Sequence, residues 1–323
     1  MKKLKQLFAS ILVVSLLCFF GGCKEKVSDI STGSGTTCAN VVMGMGRFEY
    51  RDNFLYFADI ATIYEYDMQS GKTVSFPVEK PGDPQDLFIT QDYIIYSGYT
   101  KDYESGVLRM SRDGKNIETL FVGHEGCYQL YINGDDAYYL SARGGNLYHR
   151  NMKENKETLL LEGVLSYFWT ENSLYAIKDN GGSYSLMKSS TKDIEFERID
   201  LTFSPIEILV VGDELYLSKM STYELIHYHD GVETPLPVRS LKYQILDGCL
   251  IFSDESSFEN STWTVKSYNM ETGETKDLCE HVMEFGVFEE RYTIFWCRGD
   301  SGSWWNLHDW KTGELRRIYP TSK

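Results

Sequence analysis

Histidines, carboxylates and aromatic side chains are the groups in this chain that could do chemistry. His227 and His229 alternate in an Ile-His-Tyr-His run, so in a strand both project to one face. A metal pair uses that spacing, but a metal site needs more ligands than two, and His124, His149 and His281 have no partners in sequence. Asp135-Asp136 and Asp102-Tyr103-Glu104 supply carboxylates, yet nothing pairs them as general acid and base. The aromatics are more informative. Trp263, Trp304 and Trp305, with Phe258, Tyr103 and Arg298, sit in or beside long polar loops, where exposed rings and a few charges suit recognition of a protein or a sugar. No residue is assigned a catalytic role, and neither a metal nor a cofactor is expected.

The elements that must position these residues repeat. A turn followed by an apolar, tyrosine-rich strand occurs at Asn53–Phe57, Asp92–Ser97, Asp136–Ser141, Asn172–Tyr175, Asp213–Ser218, Gly248–Ser253 and Arg291–Trp296. Aligning Leu55, Ile94, Tyr138, Leu174, Leu215, Leu250 and Thr293 gives spacings of 39, 44, 36, 41, 35 and 43 residues. Seven copies of about forty residues match the period of a four-stranded propeller blade. Each copy places an apolar strand before the aligned one and a third strand after it. A Gly-containing turn such as Asp113-Gly114 or Asp230-Gly231 follows, then a more polar fourth strand. No stretch after the first 22 residues carries a capped helical stripe. The expected fold is therefore all-β, a β-propeller of seven four-stranded blades over residues 41–321. Radial repetition leaves only short sheet edges exposed. Two closures fit: the ring closes without an exchanged strand, or Asn40–Met43 adds a strand to the last blade.

The start of the chain gives an address. Lys2, Lys3 and Lys5 precede an apolar run from Leu7 to Phe20, and Gly21-Gly22-Cys23 follows. That order reads as a signal peptide, and the run is shorter than the roughly 20 residues needed to span a bilayer. The Gly-Gly-Cys ending resembles the bacterial lipobox, with Phe20 in place of the usual leucine. The resemblance implies cleavage after residue 22, acylation of Cys23, and a lipid-anchored protein at the membrane or cell surface. Residues 23–40 are rich in Ser, Thr, Gly and Lys and read as a flexible tether. The formal charge is −15, and about −18 once the three signal lysines are removed. Such an acidic body repels nucleic acid and anionic lipid, so nucleic acid is excluded as a partner. Beyond Cys23, five cysteines remain without CxxC spacing, which does not suggest a disulfide framework.

Leu55-Tyr56-Phe57-Ala58-Asp59 and the run from Leu108 to Gly114 resemble the strands and turn of the YWTD repeats of low-density-lipoprotein-receptor-related propellers. Many uncharacterised bacterial lipoproteins have propellers of this kind. The resemblance spans nearly all of residues 46–319 and implies a propeller that binds rather than catalyses. Most copies end the strand in Ser and lack the Asp, so the receptor propellers' calcium and ligand roles do not carry over.

In propellers the loops joining second to third strands line one open face. Here they are longest at Gly98–Gly106, Asp254–Thr262 and Arg298–Ser303. The function that fits is a membrane-anchored, non-catalytic binding module for protein or glycan. The alternatives are a propeller enzyme acting on extracellular polysaccharide and a scaffold subunit of an envelope complex. The central channel discriminates between them: acids converging there with Arg favour an enzyme, whereas a bare channel beside exposed Trp favours binding.

Overall fold

The computed structural model describes residues 46–319 apart from 79–81, 143, 260 and 301. The signal segment, Cys23, the tether and Asn40–Met43 lie outside the described residues. Among the described residues every regular element is a strand, and 27 strands form six antiparallel sheets. The first sheet holds β1 (Phe48–Arg51), β2 (Phe54–Asp59), β3 (Thr62–Asp67) and β4 (Thr73–Pro77). The second holds β5 (Gly82–Ile89), β6 (Tyr93–Tyr99), β7 (Ser105–Ser111) and β8 (Ile117–Val122). The third holds β9 (Tyr128–Asn133), β10 (Asp136–Leu140), β11 (Leu147–Asn151) and β12 (Lys156–Leu161). The fourth holds β13 (Val164–Trp169), β14 (Ser173–Asp179), β15 (Tyr184–Ser190) and β16 (Glu197–Ile199). The fifth holds β17 (Pro205–Val211), β18 (Glu214–Lys219), β19 (Glu224–His229) and β20 (Val232–Arg239).

The sixth sheet departs from the expected seven sheets of four strands. It has seven strands: β21 (Tyr243–Leu246), β22 (Cys249–Glu259), β23 (Thr262–Asn269), β24 (Thr275–Phe288), β25 (Tyr292–Gly299), β26 (Gly302–Asp309) and β27 (Glu314–Tyr319). The cause is β24. At 14 residues it is long enough to pair with β23 over 275–282 and with β25 over 282–288. His281, in the left-handed region at φ 60°, marks the change of neighbour. Two consecutive repeats thus share one strand.

Burial explains why the aligned positions repeat. Leu55, Ile94, Leu174, Leu250 and Thr293 are wholly buried, and Tyr138 and Leu215 nearly so. Each large apolar side chain removed from water contributes roughly 1.5–3 kcal/mol. The fourth strands β4, β8, β12 and β20 are mostly exposed, which accounts for their polar sequences. Apolar clusters fill the spaces between consecutive sheets. One, with Tyr56, Leu87 and Met110, joins the first sheet to the second. Another, with Ile95, Val107 and Tyr139, joins the second to the third.

A further cluster closes the ring by joining the last sheet to the first: Phe48 and Phe57 pack with Phe288 and Trp305. Phe57 and Trp305 have ring centroids 5.1 Å apart, and the hydroxyls of Tyr64 and Tyr319 are 3.0 Å apart. Gly286 permits the approach, because a Cβ there would lie 1.8 Å from Cζ of Phe48. Among the described residues the two sheets meet through side chains, with no strand exchanged between them.

Candidate functional site

The innermost strands and the residues that lead into them carry a ring of polar residues that repeats with the fold. Three places before the residue that faces each aligned position stand Arg47, Asp86, Ser166, Glu207, Lys242 and Glu284. In the third sheet Gln129 stands two places before. At Asp86, Gln129, Ser166, Glu207 and Glu284 the inner strand also shifts register against its neighbour. Such bulges re-aim side chains. Asp86 and Gln129 take the left-handed conformation, at φ 45° and 48°. Apart from half-buried Lys242, all of these residues are buried.

The charged members compensate one another. Arg47 donates from Nη2 to Oδ1 of Asp83 at 2.9 Å, and its guanidinium lies 5.0 Å from the centre of the Trp296 ring. Asp86 accepts from the backbone N of Gly46 at 3.3 Å and from Oγ of Ser97 at 2.7 Å. Burial nevertheless raises its carboxyl above the ordinary range. Lys242 donates from Nζ to the carbonyl of Met283 at 2.9 Å. Burial lowers its ammonium, opposed by the charges of Glu284, Glu255 and Glu207. Burial pushes Glu207 up to about 8, against the pull of the Ile208 N–H and Lys242. It pushes Glu284 up to about 7, against Lys242 and Arg47.

Asp86, Glu207 and Glu284 share Arg47 and Lys242 with Asp83 and Glu255, so carboxyls outnumber cations, and burying an unpaired charge is costly. The carboxyl with fewest partners, Glu207, therefore holds a proton near neutral pH. Gln129 Oε1 and Ser166 Oγ are buried with no hydrogen-bond partner among the described residues, leaving polar capacity for water or a ligand group.

Lys242 links this ring to the β22–β23 hairpin, where residues 254–259, expected as part of a long loop, instead extend β22. Tyr243 pairs with Phe252, so the start of β21 and the loop after β22 lie at the same end of the sheet. The Lys242 ammonium sits 4.7 Å from the centre of the Trp263 ring, and Phe258 packs on that ring at 4.9 Å. Glu255 ties the arrangement together, accepting from Nε1 of Trp263 at 3.3 Å and from the backbone N of Leu241 at 3.1 Å. Phe258 itself is 55% exposed. The result is an exposed ring on a braced tryptophan, beside a buried charged hub.

The other residues singled out by sequence are dispersed. Trp305 is a core residue, 2% exposed, stacked on Trp296 at 5.9 Å. Alternation along the strand leaves its neighbour Trp304 half-buried, with the Arg317 guanidinium 4.7 Å from its ring. The seven-stranded sheet does align two tryptophans, because Trp263, Val282, Cys297 and Trp304 pair in turn across β23 to β26. At the usual strand spacing their backbones are about 14 Å apart. Arg298 is exposed near the end of β25, opposite Ser303 on β26. Tyr103 is 75% exposed in the loop after β6, on a different sheet. His227 stacks on Tyr216 at 4.9 Å and faces Glu214 at 3.3 Å. Among the described residues no three His, Cys, Asp or Glu side chains are placed to hold a metal. Sequence reasoning missed the hub. Its signal was present: in six of the seven repeats a polar residue stands three places before the residue facing the aligned position.

No protein-family model matches the chain, and no curated protein does. Solved structures do. The propeller domain of the Trilobed protease from Pyrococcus furiosus, described as having an open velcro topology, matches 86% of this chain and 98% of its own length. Its TM-score is 0.59 and its identity 13%. The chain is a β-propeller. The N-terminal domain of Nup159 matches 81% of this propeller and 89% of its own length, at TM-score 0.54 and 12% identity. The acylaminoacyl peptidase of Pyrococcus horikoshii matches 85% of it at TM-score 0.58 and 13% identity, and the propeller spans about half (52%) of that chain. At these identities the likeness is one of fold.

Proposed function

We propose that this propeller is a lipid-anchored surface module that binds a protein or glycan at the channel end carrying Phe258 and Trp263. In this reading Cys23 is acylated after export, residues 23–40 act as a tether, and residues 41–321 form the displayed body. The seven-stranded sheet counts as two blades fused through β24, which gives seven blades. The observation that supports binding is the Phe258–Trp263 pair. An exposed ring backed by a tryptophan, itself fixed by Lys242 and Glu255, is preorganised and loses little freedom on contact. Fixed aromatics of this kind serve as anchors at interfaces.

The test is a pull-down from envelope extracts with the unlipidated chain, run beside a glycan array, each repeated with Phe258→Ala. Enrichment that depends on Phe258 supports the reading. No enrichment in either assay, or enrichment indifferent to Phe258, would refute it.

One observation favours a second reading, an enzyme acting on extracellular polysaccharide. Glu207 and Glu284 are carboxyls with proton affinities raised toward neutrality, beside Lys242 and Arg47. Such shifts are what a general acid requires. Release of reducing sugar from polysaccharide, abolished by Glu207→Gln or Glu284→Gln, would decide for it. A scaffold role in an envelope complex would give a partner retained in Phe258→Ala.

A further inference from the structure

Two cysteines with no part in the proposed site meet where β24 passes from one set of neighbours to the next. Cys279 lies just before the turning point at His281, on the stretch paired with β23, opposite Val265. Cys297 lies on β25, opposite Val282 just beyond that point. Their sulfurs are 3.6 Å apart and both residues are buried. Asn306 on β26 reaches both, its Nδ2 lying 3.5 Å from Sγ of Cys279 and 3.6 Å from Sγ of Cys297. Cys127 and Cys249 stand elsewhere, in the second-to-third interface and at the start of β22.

We infer that Cys279 and Cys297 are a disulfide-forming pair, and that the bond staples the crossover strand β24 to its neighbour β25 when the protein meets a disulfide oxidant. The geometry asks for little. A sulfur–sulfur bond is about 2.05 Å long, so each sulfur moves by roughly 0.8 Å, within reach of a small side-chain rotation. Either thiol can donate to the other and Asn306 donates to both, so the two sulfurs already share one hydrogen-bonded contact.

One of the two, as its thiolate, attacks one sulfur of the oxidant's disulfide, expels one thiol and forms a mixed disulfide. The other then gives up its proton, attacks the first cysteine's sulfur and expels the second thiol. The pair loses two electrons and two protons, and one oxidant disulfide becomes two thiols. Burial places this exchange during folding, before the last two repeats pack. The inference is independent of which ligand the propeller binds.

The sequence makes the test clean, because trypsin cuts after Lys276, Arg291 and Arg298 and so puts the two cysteines on adjacent separate peptides, 277–291 and 292–298. The full mature chain is refolded with oxidised glutathione, blocked with iodoacetamide in denaturant, digested and read by mass spectrometry. The expected result is 277–291 linked to 292–298, two hydrogens lighter than the sum, and separated by dithiothreitol. Both peptides alkylated singly, either one carrying glutathione, or a link to Cys127 or Cys249 would overturn the pairing. Thermal unfolding tests the staple. The oxidised chain is expected to melt several degrees above the reduced one, and Cys279→Ser to lose that difference. An unchanged or lower melting temperature on oxidation would overturn the stapling role.

Discussion

At the residue scale the hub makes stability depend on pH in a definite direction. The folded protein raises Glu207 from an ordinary 4.5 to about 8. A carboxyl whose proton affinity is raised on folding contributes stability that is complete below the unfolded value and is lost as pH climbs through the folded one. Glu207 therefore weakens the fold progressively between pH 4.5 and about 8. Glu207→Gln keeps the shape and cannot ionise. Urea unfolding at pH 5 and pH 8 is expected to show the variant gaining on the parent as pH rises, by at most about 5 kcal/mol. A difference that stays constant across that range would refute the protonated hub. Phe258 behaves oppositely, because its ring is largely in water. Phe258→Ala is expected to change stability by no more than about 0.5 kcal/mol while weakening ligand binding about tenfold or more. Comparing its unfolding curve with its binding isotherm checks both halves.

At the scale of elements, one strand sets much of the architecture. β24 joins what repetition alone presents as separate sheets, because its 14 residues run through the usual turn position with only a left-handed bend at His281. The inner strand β24 also bears Gly286, against which the ring of Phe48 closes the propeller. Here the absence of a side chain is required by close approach. Gly286→Ala drives a methyl into Phe48 and is expected to cost about 1–3 kcal/mol, with part recovered by adding Phe48→Leu. Chemical unfolding of the two single variants and the double variant measures the coupling. A Gly286→Ala protein as stable as its parent would show that this contact does not hold the ends together.

At the scale of the whole molecule, the proposed anchor and the acidic body fit one arrangement: a body whose charge keeps it off anionic lipid, held by acyl chains at the end of a polar tether. Cys23→Ser is expected to move the protein from the membrane pellet to the soluble fraction on cell fractionation. Retention in the pellet would refute the lipid anchor.

The repeat, and with it the all-β propeller, was legible in sequence because strand periodicity, turn glycines and a forty-residue spacing are local properties. Leu55, Ile94 and Leu250 announced their burial by type alone. The site was legible only in part. Phe258 and Trp263 are five residues apart and share a hairpin, so their segment could be named in advance. Alternation gives Trp304 the better chance of exposure over Trp305, and packing leaves Trp305 buried and Trp304 half-buried. The hub, the shared strand β24 and the pairing of Cys279 with Cys297 depended on packing. Arg47, Asp86, Glu207, Lys242 and Glu284 lie on five different sheets or sheet segments, and only closing the ring brings their charges within reach of one another. Local pattern fixes which strands form and which of their faces is apolar. Tertiary structure decides which distant polar residues must share a low-dielectric centre, because that depends on how the sheets meet around the axis.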